Sequence, residues 1–334
     1  MSNQSRRSVD GLNEVRIDHI PPDPGAAMSR MSDVEMAARA CGCLLGLAVG
    51  DAVGTTREFS RRDTHPPLTD MVGGGPFRLR PGEWTDDTSM ALCLADSLMA
   101  CSTLDQRDLM ERFVRWWREG YNSHNGRCFD IGITTRQALQ RFRETGEPVA
   151  GSTDPNTAGN GSIMRLAPVA LRWAGNPERA ISAARAQSVT THGAPAAVEG
   201  CALLADILVE AIATGERMAA LRSRPAGEAS IAAIAAGSWR GKGRDQIRSS
   251  GYVVHTLEAA LWCVDHSAGF ADAVLLAANL GDDADTVAAV TGQIAGALCG
   301  QNAIPRHWLE RLAWRENIAR TASRLWTLSR EAAP

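Results

Sequence analysis

The sequence has almost no lysine. Lys242 is the only one among 35 basic residues, so cationic chemistry in this chain is arginine chemistry. The arginines are scattered rather than clustered, which fits a GC-rich coding bias better than a phosphate-binding surface. No cysteine pair has the CxxC spacing: positions 41, 43, 93, 101, 128, 201, 263 and 299 lie mostly in apolar helical context. That argues against a disulfide scaffold and a zinc site, and leaves the cysteines as small buried hydrophobes. The start lacks the charged-then-apolar pattern of a secretory signal. No apolar run reaches the ~18 residues that suggest a membrane span. A cytoplasmic protein is therefore the expectation. A formal net charge of −3 supplies no pull toward nucleic acid or membrane. Convincing strands and fixed-period repeats are lacking as well, which argues against a solenoid.

What is present is helical texture. The 334 residues, 44% apolar and 22% charged, can bury a substantial core as one large domain or two ordinary ones. Residues 1–33 are polar and carry Pro21-Pro22-Asp23-Pro24-Gly25, which predicts a flexible arm. The alternating Val15-Arg16-Ile17-Asp18 makes that arm a candidate partner-binding segment. A first helix is predicted over 34–49, with Gly42 and Gly46 four apart so that another helix can approach closely. Gly50-Asp51-Ala52-Val53-Gly54 reads as its break into a long loop through Glu58 to Pro81. A loop of that length in a compact domain is usually functional. Apolar periodicity then predicts helices over 88–101, 106–119, 131–144, 162–173, 177–188, 195–214, 228–236, 251–266, 269–279, 286–299 and 305–330. The fold expected is all-α, a single compact multi-helix bundle over 34–331. Trp116-Trp117 reads as core, and Trp84 as core or cleft wall.

Two acidic knots stand out. Thr85-Asp86-Asp87-Thr88 sits where a polar loop turns into an apolar helix, and Gly281-Asp282-Asp283-Ala284-Asp285-Thr286 repeats the pattern far along the chain. Their carboxylate and hydroxyl oxygens are hard ligands, suited to Mg²⁺, Mn²⁺ or Ca²⁺ rather than zinc or copper. In a regular helix residues two apart point nearly opposite ways, so Asp283 and Asp285 can converge only at a helix start. The plain alternative is that each knot merely caps a helix. Against it, there are more acids than capping needs, and crowded carboxylates repel unless a cation neutralises them.

Five ordered blocks carry a resemblance. Gly-Asp-Ala-Val-Gly at 50–54 with Glu58, then Thr85-Asp86-Asp87-Thr88, Gly159-Asn160-Gly161-Ser162-Ile163-Met164-Arg165, Thr191-His192 and Asp283-Ala284-Asp285-Thr286 follow one another as in the ADP-ribosylglycohydrolases. Over roughly residues 36 to 300 the chain resembles the bacterial branch of dinitrogenase reductase-activating glycohydrolase and ADP-ribosylarginine hydrolase. The resemblance implies an all-helical, orthogonally packed fold with two Mg²⁺ or Mn²⁺ ions in a cleft. Thr85, Asp86, Asp87, Asp283, Asp285 and Thr286 would be their ligands. It implies hydrolysis of the N-glycosidic bond between ADP-ribose and a modified protein arginine, reversing mono-ADP-ribosylation. Asp87 or Asp285 would steer the water, and Glu58 would handle the leaving group or gate the cleft. Asp130, Gly159, Asn160, Gly161, Ser162, His192 and Tyr252 would line the substrate site, and Asp51 would orient its neighbours. Cleavage of a serine or acyl linkage is the alternative within the same chemistry. A different alternative is an immunity protein that blocks an ADP-ribosyltransferase toxin through residues 1–33.

Overall fold

The computed structural model describes residue 1 and residues 24–331, with side chains from Ser32 onward. Most of the expected arm, including Val15-Arg16-Ile17-Asp18, lies outside the described residues. From Pro24 the backbone is already helical. By its contacts the chain divides into a unit ending at Val34 and a unit from Glu35 onward. The core and the cleft belong wholly to the second.

Fourteen α-helices carry the described chain: α1 (Pro24–Gly54), α2 (Asp86–Ala100), α3 (Gln106–Glu119), α4 (Ile133–Thr145), α5 (Ala167–Arg172), α6 (Pro177–Thr191), α7 (Pro195–Thr214), α8 (Arg217–Ala220), α9 (Ala229–Ala235), α10 (Val253–Asp265), α11 (Phe270–Ala278), α12 (Ala284–Cys299), α13 (Arg306–Arg311) and α14 (Arg315–Glu331). Among the described residues there is no strand; only isolated bridges such as Gly159 to Tyr252 occur. The fold is all-α.

Helices α1 and α12 form the central seam. Gly42, Gly46, Gly50 and Gly54 recur every fourth residue along one face of α1. A Cβ on Gly46 would stand 2.2 Å from the Gly292 carbonyl oxygen, and one on Gly50 would stand 2.1 Å from that of Ala288. Gly292 and Gly296 answer from α12, each 2.0 Å from an α1 carbonyl by the same measure. The two backbones therefore touch without side chains between them. This explains why Gly50–Gly54 does not break the helix as expected. The glycines serve contact rather than a turn, and α1 runs on to Gly54. The stretch Ser32–Arg57 is long enough for a membrane span and contains an 18-residue window apolar enough for one (mean hydropathy 1.5), but 78% of that window is buried inside the fold.

Other boundaries differ for local reasons. The helix expected over 162–173 is a chain of turns followed by the six-residue α5. Pro168, which lacks an N–H and clashes with the preceding turn, permits a helix only from Ala167. The helix expected over 305–330 is two. At the break, Ala313 donates its N–H to the Gly82 carbonyl (2.9 Å) and accepts from the Trp84 indole (3.0 Å). Trp84 is thereby core, and so is Trp116; Trp117 is only partly buried against them.

Candidate active site

The α1–α12 seam ends at the site. Gly54 lies against Ala284 and Asp285, and Asp51, one turn earlier, is fully buried. Asp51 reaches the start of α2. Its Oδ1 accepts from the Thr85 N–H and hydroxyl, both at 2.9 Å, and its Oδ2 from the Thr88 N–H (3.1 Å) and hydroxyl (2.6 Å). A carboxylate from another helix thus caps α2, while Thr85, at the N-cap position, makes no side-chain cap bond. The helix starts at Asp86, not near Thr88 as the sequence suggested, because Asp51 satisfies its first donors.

Asp283 holds the N-cap position of α12, also without a side-chain cap bond, and Asp285 sits in the first turn. Neither knot spends its side chains as a conventional cap. The knots meet in space instead: the Thr85 hydroxyl is 3.4 Å from Asp285 Oδ2, and the Thr286 hydroxyl is 3.4 Å from Asp87 Oδ1. Glu58 joins them. It is buried, accepts the Asp285 N–H at 3.1 Å, and one oxygen from each of Glu58, Asp283 and Asp285 lies within 4.8 Å of the others. Its loop is clamped to the second knot, since Phe59 donates to the Asp282 carbonyl (2.7 Å) and Asp282 to that of Ser60 (2.8 Å). A solvated loop charge is excluded for Glu58.

These acids crowd one another. Burial, then the charges of Asp285 and Asp283, push the Glu58 carboxyl far above its usual range. Burial and Asp285 raise Asp283 to about 7; burial and Asp130 raise Asp285 to about 7. Asp86 and Asp87 are raised well above 3.8, again mainly by burial. Among the described residues Asp87 Oδ2 is buried with no hydrogen-bond partner. An orphaned carboxylate oxygen amid an all-oxygen donor set is costly alone and fits a hard divalent cation.

The cleft beside this cluster has a volume of about 740 Å³. Glu58, Asp86, Asp283, Asp285 and Thr286 line one part of it. Asp130, Gly159, Asn160, Gly161 and His192 line another part. Thr85, Asp87 and Ser162 do not line it and are buried. Ser162 is occupied with Ser188, hydroxyl to hydroxyl at 2.9 Å. Tyr252 stands apart from the lining, 38% exposed, its ring edge-on to His255, while its neighbours Ser250 and Gly251 face the cleft. Asp130 is not an N-cap: α4 starts at Ile133 with Gly132 before it, and Asp130 has a left-handed backbone (φ 61°). Burial raises its carboxyl to about 7.

Asn160 has a second job that its motif did not reveal. Its amide donates to Asp283 Oδ2 at 2.6 Å and to Thr256 Oγ1 at 2.9 Å, so it orients an acid of the cluster. Thr256, on α10, carried no sequence signal. Thr135, Met164 and Phe59 also line the cleft; Thr135 belongs to the stretch after Asp130 and Met164 to the Gly159–Arg165 motif, whereas Phe59 is an ordinary residue placed by the fold.

A family model described as ADP-ribosylglycohydrolase matches residues 32–334. ADP-ribosylarginine hydrolase Tri1 of Serratia proteamaculans is 50% identical over 294 residues, 88% of this chain and 80% of that protein. The protein of the same name from Pseudomonas putida is 52% identical over 299 residues, covering 86% and 78%. ADP-ribosyl-[dinitrogen reductase] glycohydrolase of Rhodospirillum rubrum is 34% identical over 82% of this chain and 90% of its own. A solved structure titled ADP-ribosylglycohydrolase-related protein complex superposes with a TM-score of 0.79 at 41% identity, covering 89% of this chain and 99% of that one. With its acidic knots joined across one cleft, the chain belongs to the ADP-ribosylglycohydrolase family.

Proposed function

We propose that this enzyme removes ADP-ribose from modified arginine side chains of proteins, with two Mg²⁺ or Mn²⁺ ions as cofactors. The observation that carries the reading is the convergence of the two knots on one cleft, with Asp87 Oδ2 left unpartnered. The relatives named for ADP-ribosylarginine hydrolysis support the linkage.

Asp86, Asp87, Asp283 and Asp285, with the hydroxyls of Thr85 and Thr286, would hold the cations. Bound there, divalent ions supply charge that grips vicinal hydroxyls and acidifies water. The protein's own groups do the rest. Asp285, which reaches the cleft where Asp87 does not, takes the proton from the attacking water. Water adds to the anomeric carbon, the carbon–nitrogen bond breaks, and the guanidine departs with a proton. Glu58 stands beside Asp285 to deliver that proton; such acid–base help is worth about 10²–10⁴ in rate. Asp51 and Asn160 hold the acids in place. Gly161, without a side chain, leaves room in the cleft for the His192 imidazole: a Cβ there would stand 2.7 Å from its Cε1.

Offering ADP-ribosyl-arginine and ADP-ribosyl-serine peptides side by side tests the linkage. Release from arginine is expected; release from serine alone would transfer the reading to the other linkage.

A further inference from the structure

Arg165 is fully buried, yet among the described residues no carboxylate pairs with it. Its guanidinium lies 4.4 Å from the centroid of the Phe113 ring. Nε donates to Gln187 Oε1 at 2.9 Å, and Nη2 donates to the Gln187 carbonyl (3.3 Å) and to Thr191 Oγ1 (2.9 Å). Burial lowers its pKa only to about 9, so it remains a cation at neutral pH. Burying a charge on neutral acceptors is expensive, and nothing in the proposed hydrolysis uses it.

The chain of contacts continues to the cleft. Thr191 Oγ1 lies 2.8 Å from His192 Nδ1. The opposite edge of that imidazole faces the glycine turn: a Cβ on Gly159 would stand 3.3 Å from Nε2, and one on Gly161 would stand 3.1 Å from it. His192 lines the cleft, whereas Arg165 and Thr191 do not.

We propose that Arg165 and Thr191 are positioning residues that fix the proton of His192 on Nε2, so that the cleft presents a neutral N–H donor to an acceptor oxygen of its ligand. This rests on the reading of the cleft as an ADP-ribose site, where the acceptor is a phosphate or ribose oxygen. The argument is one of proton count. A guanidinium donates and never accepts, so Thr191 Oγ1 receives the Arg165 N–H and its own proton is free to go to Nδ1. In the other tautomer Oγ1 would accept twice, from Arg165 and from Nδ1–H. The buried hydroxyl proton would then have no acceptor among the described residues, which is the costly arrangement. The guanidinium also opposes a second positive charge: burial first, then Arg165, hold the His192 pKa down to about 3. The imidazole is therefore a donor that keeps its tautomer and does not become an acid.

Nitrogen-15 NMR of the full-length protein, labelled at histidine, reads the tautomer directly. The wild type is expected to show a pyridine-like Nδ1 and a pyrrole-like Nε2 for His192. Thr191→Ser keeps the hydroxyl and is expected to preserve that spectrum and the affinity for free ADP-ribose. Thr191→Val, equal in shape, is expected to give mixed tautomers and about tenfold weaker ADP-ribose binding, with its circular dichroism unchanged. A wild-type proton on Nδ1, or a Thr191→Val protein that keeps the wild-type spectrum or affinity, overturns the proposal. An Nε2–H spectrum in a protein that does not bind ADP-ribose would retire the substrate reading and leave the proton placement standing.

Discussion

Asp51 Oδ1 accepts both the backbone N–H and the hydroxyl of Thr85, each at 2.9 Å, across 34 residues of sequence. Because Oδ2 takes the N–H and hydroxyl of Thr88 as well, this one carboxylate fixes the rotation of α2 and hence where Asp86 and Asp87 point.

Asp51→Asn replaces one acceptor oxygen with a donor amide that faces donors. Hydrogen bonds to a buried charged group contribute about 1.5–3 kcal/mol, so a loss of about 2 kcal/mol in urea unfolding is expected. Calorimetric Mg²⁺ affinity should fall with it, although Asp51 touches no ion in the arrangement proposed.

The buried carboxyls of the cluster crowd one another. Asp285→Asn removes one of the crowded buried charges. In chelator it should melt no lower than wild type. In Mg²⁺ the order should reverse, because only the wild type gains binding energy, about 2.7 kcal/mol at a hundredfold excess over Kd. Thermal melts of both proteins, with Mg²⁺ and with chelator, show whether the two curves cross.

Gly46→Ala tests the seam. Its Cβ would stand 2.2 Å from the Gly292 carbonyl oxygen, a backbone atom that cannot swing aside. Forcing the helices apart costs about 3 kcal/mol, the upper part of the range for overpacking. Activity should fall as well, because the same two helices carry Asp51 and Asp285. The paired measurements are denaturant unfolding and ADP-ribose release.

His192 gives a pH dependence with a definite sign. Burial depresses its pKa from 6.5 to about 3, so the folded protein holds it neutral while the unfolded chain takes up a proton below about 6.5. Its contribution is fully present above 6.5 and is lost as pH falls toward 3, at about 1.4 kcal/mol per pH unit. The stability difference between wild type and His192→Gln should therefore shift in favour of the glutamine variant on going from pH 7 to pH 5. A difference that does not change with pH would contradict the buried neutral imidazole.

Much of this architecture was legible where the signals are local. Helices α3 and α7 start and stop where the sequence places them, because Asp105 caps the first, Pro195 opens the second, and Gly120 and Gly215 close them in left-handed conformations. The breaks at Leu166 and Leu312 differ in kind: Pro168 is a visible local signal, whereas Ala313 is held by Gly82, which only the tertiary structure shows. Gly50 and Gly54 look like helix breakers in isolation and become contact surfaces only when α12 is present. In the site, both acidic knots were evident from clustering alone. The position of Glu58 within the acid cluster was not, since its contact with Asp285 spans 227 residues. Nor did anything local show Asn160 holding Asp283, or Tyr252 standing off the cleft.

The most direct test is ADP-ribose release from an ADP-ribosylated arginine peptide by wild type and Asp283→Asn, each with Mg²⁺ and with chelator. Release by the wild type in Mg²⁺ alone is the predicted result. Equal release in all four reactions would mean that the joined carboxylates hold no ion the chemistry needs.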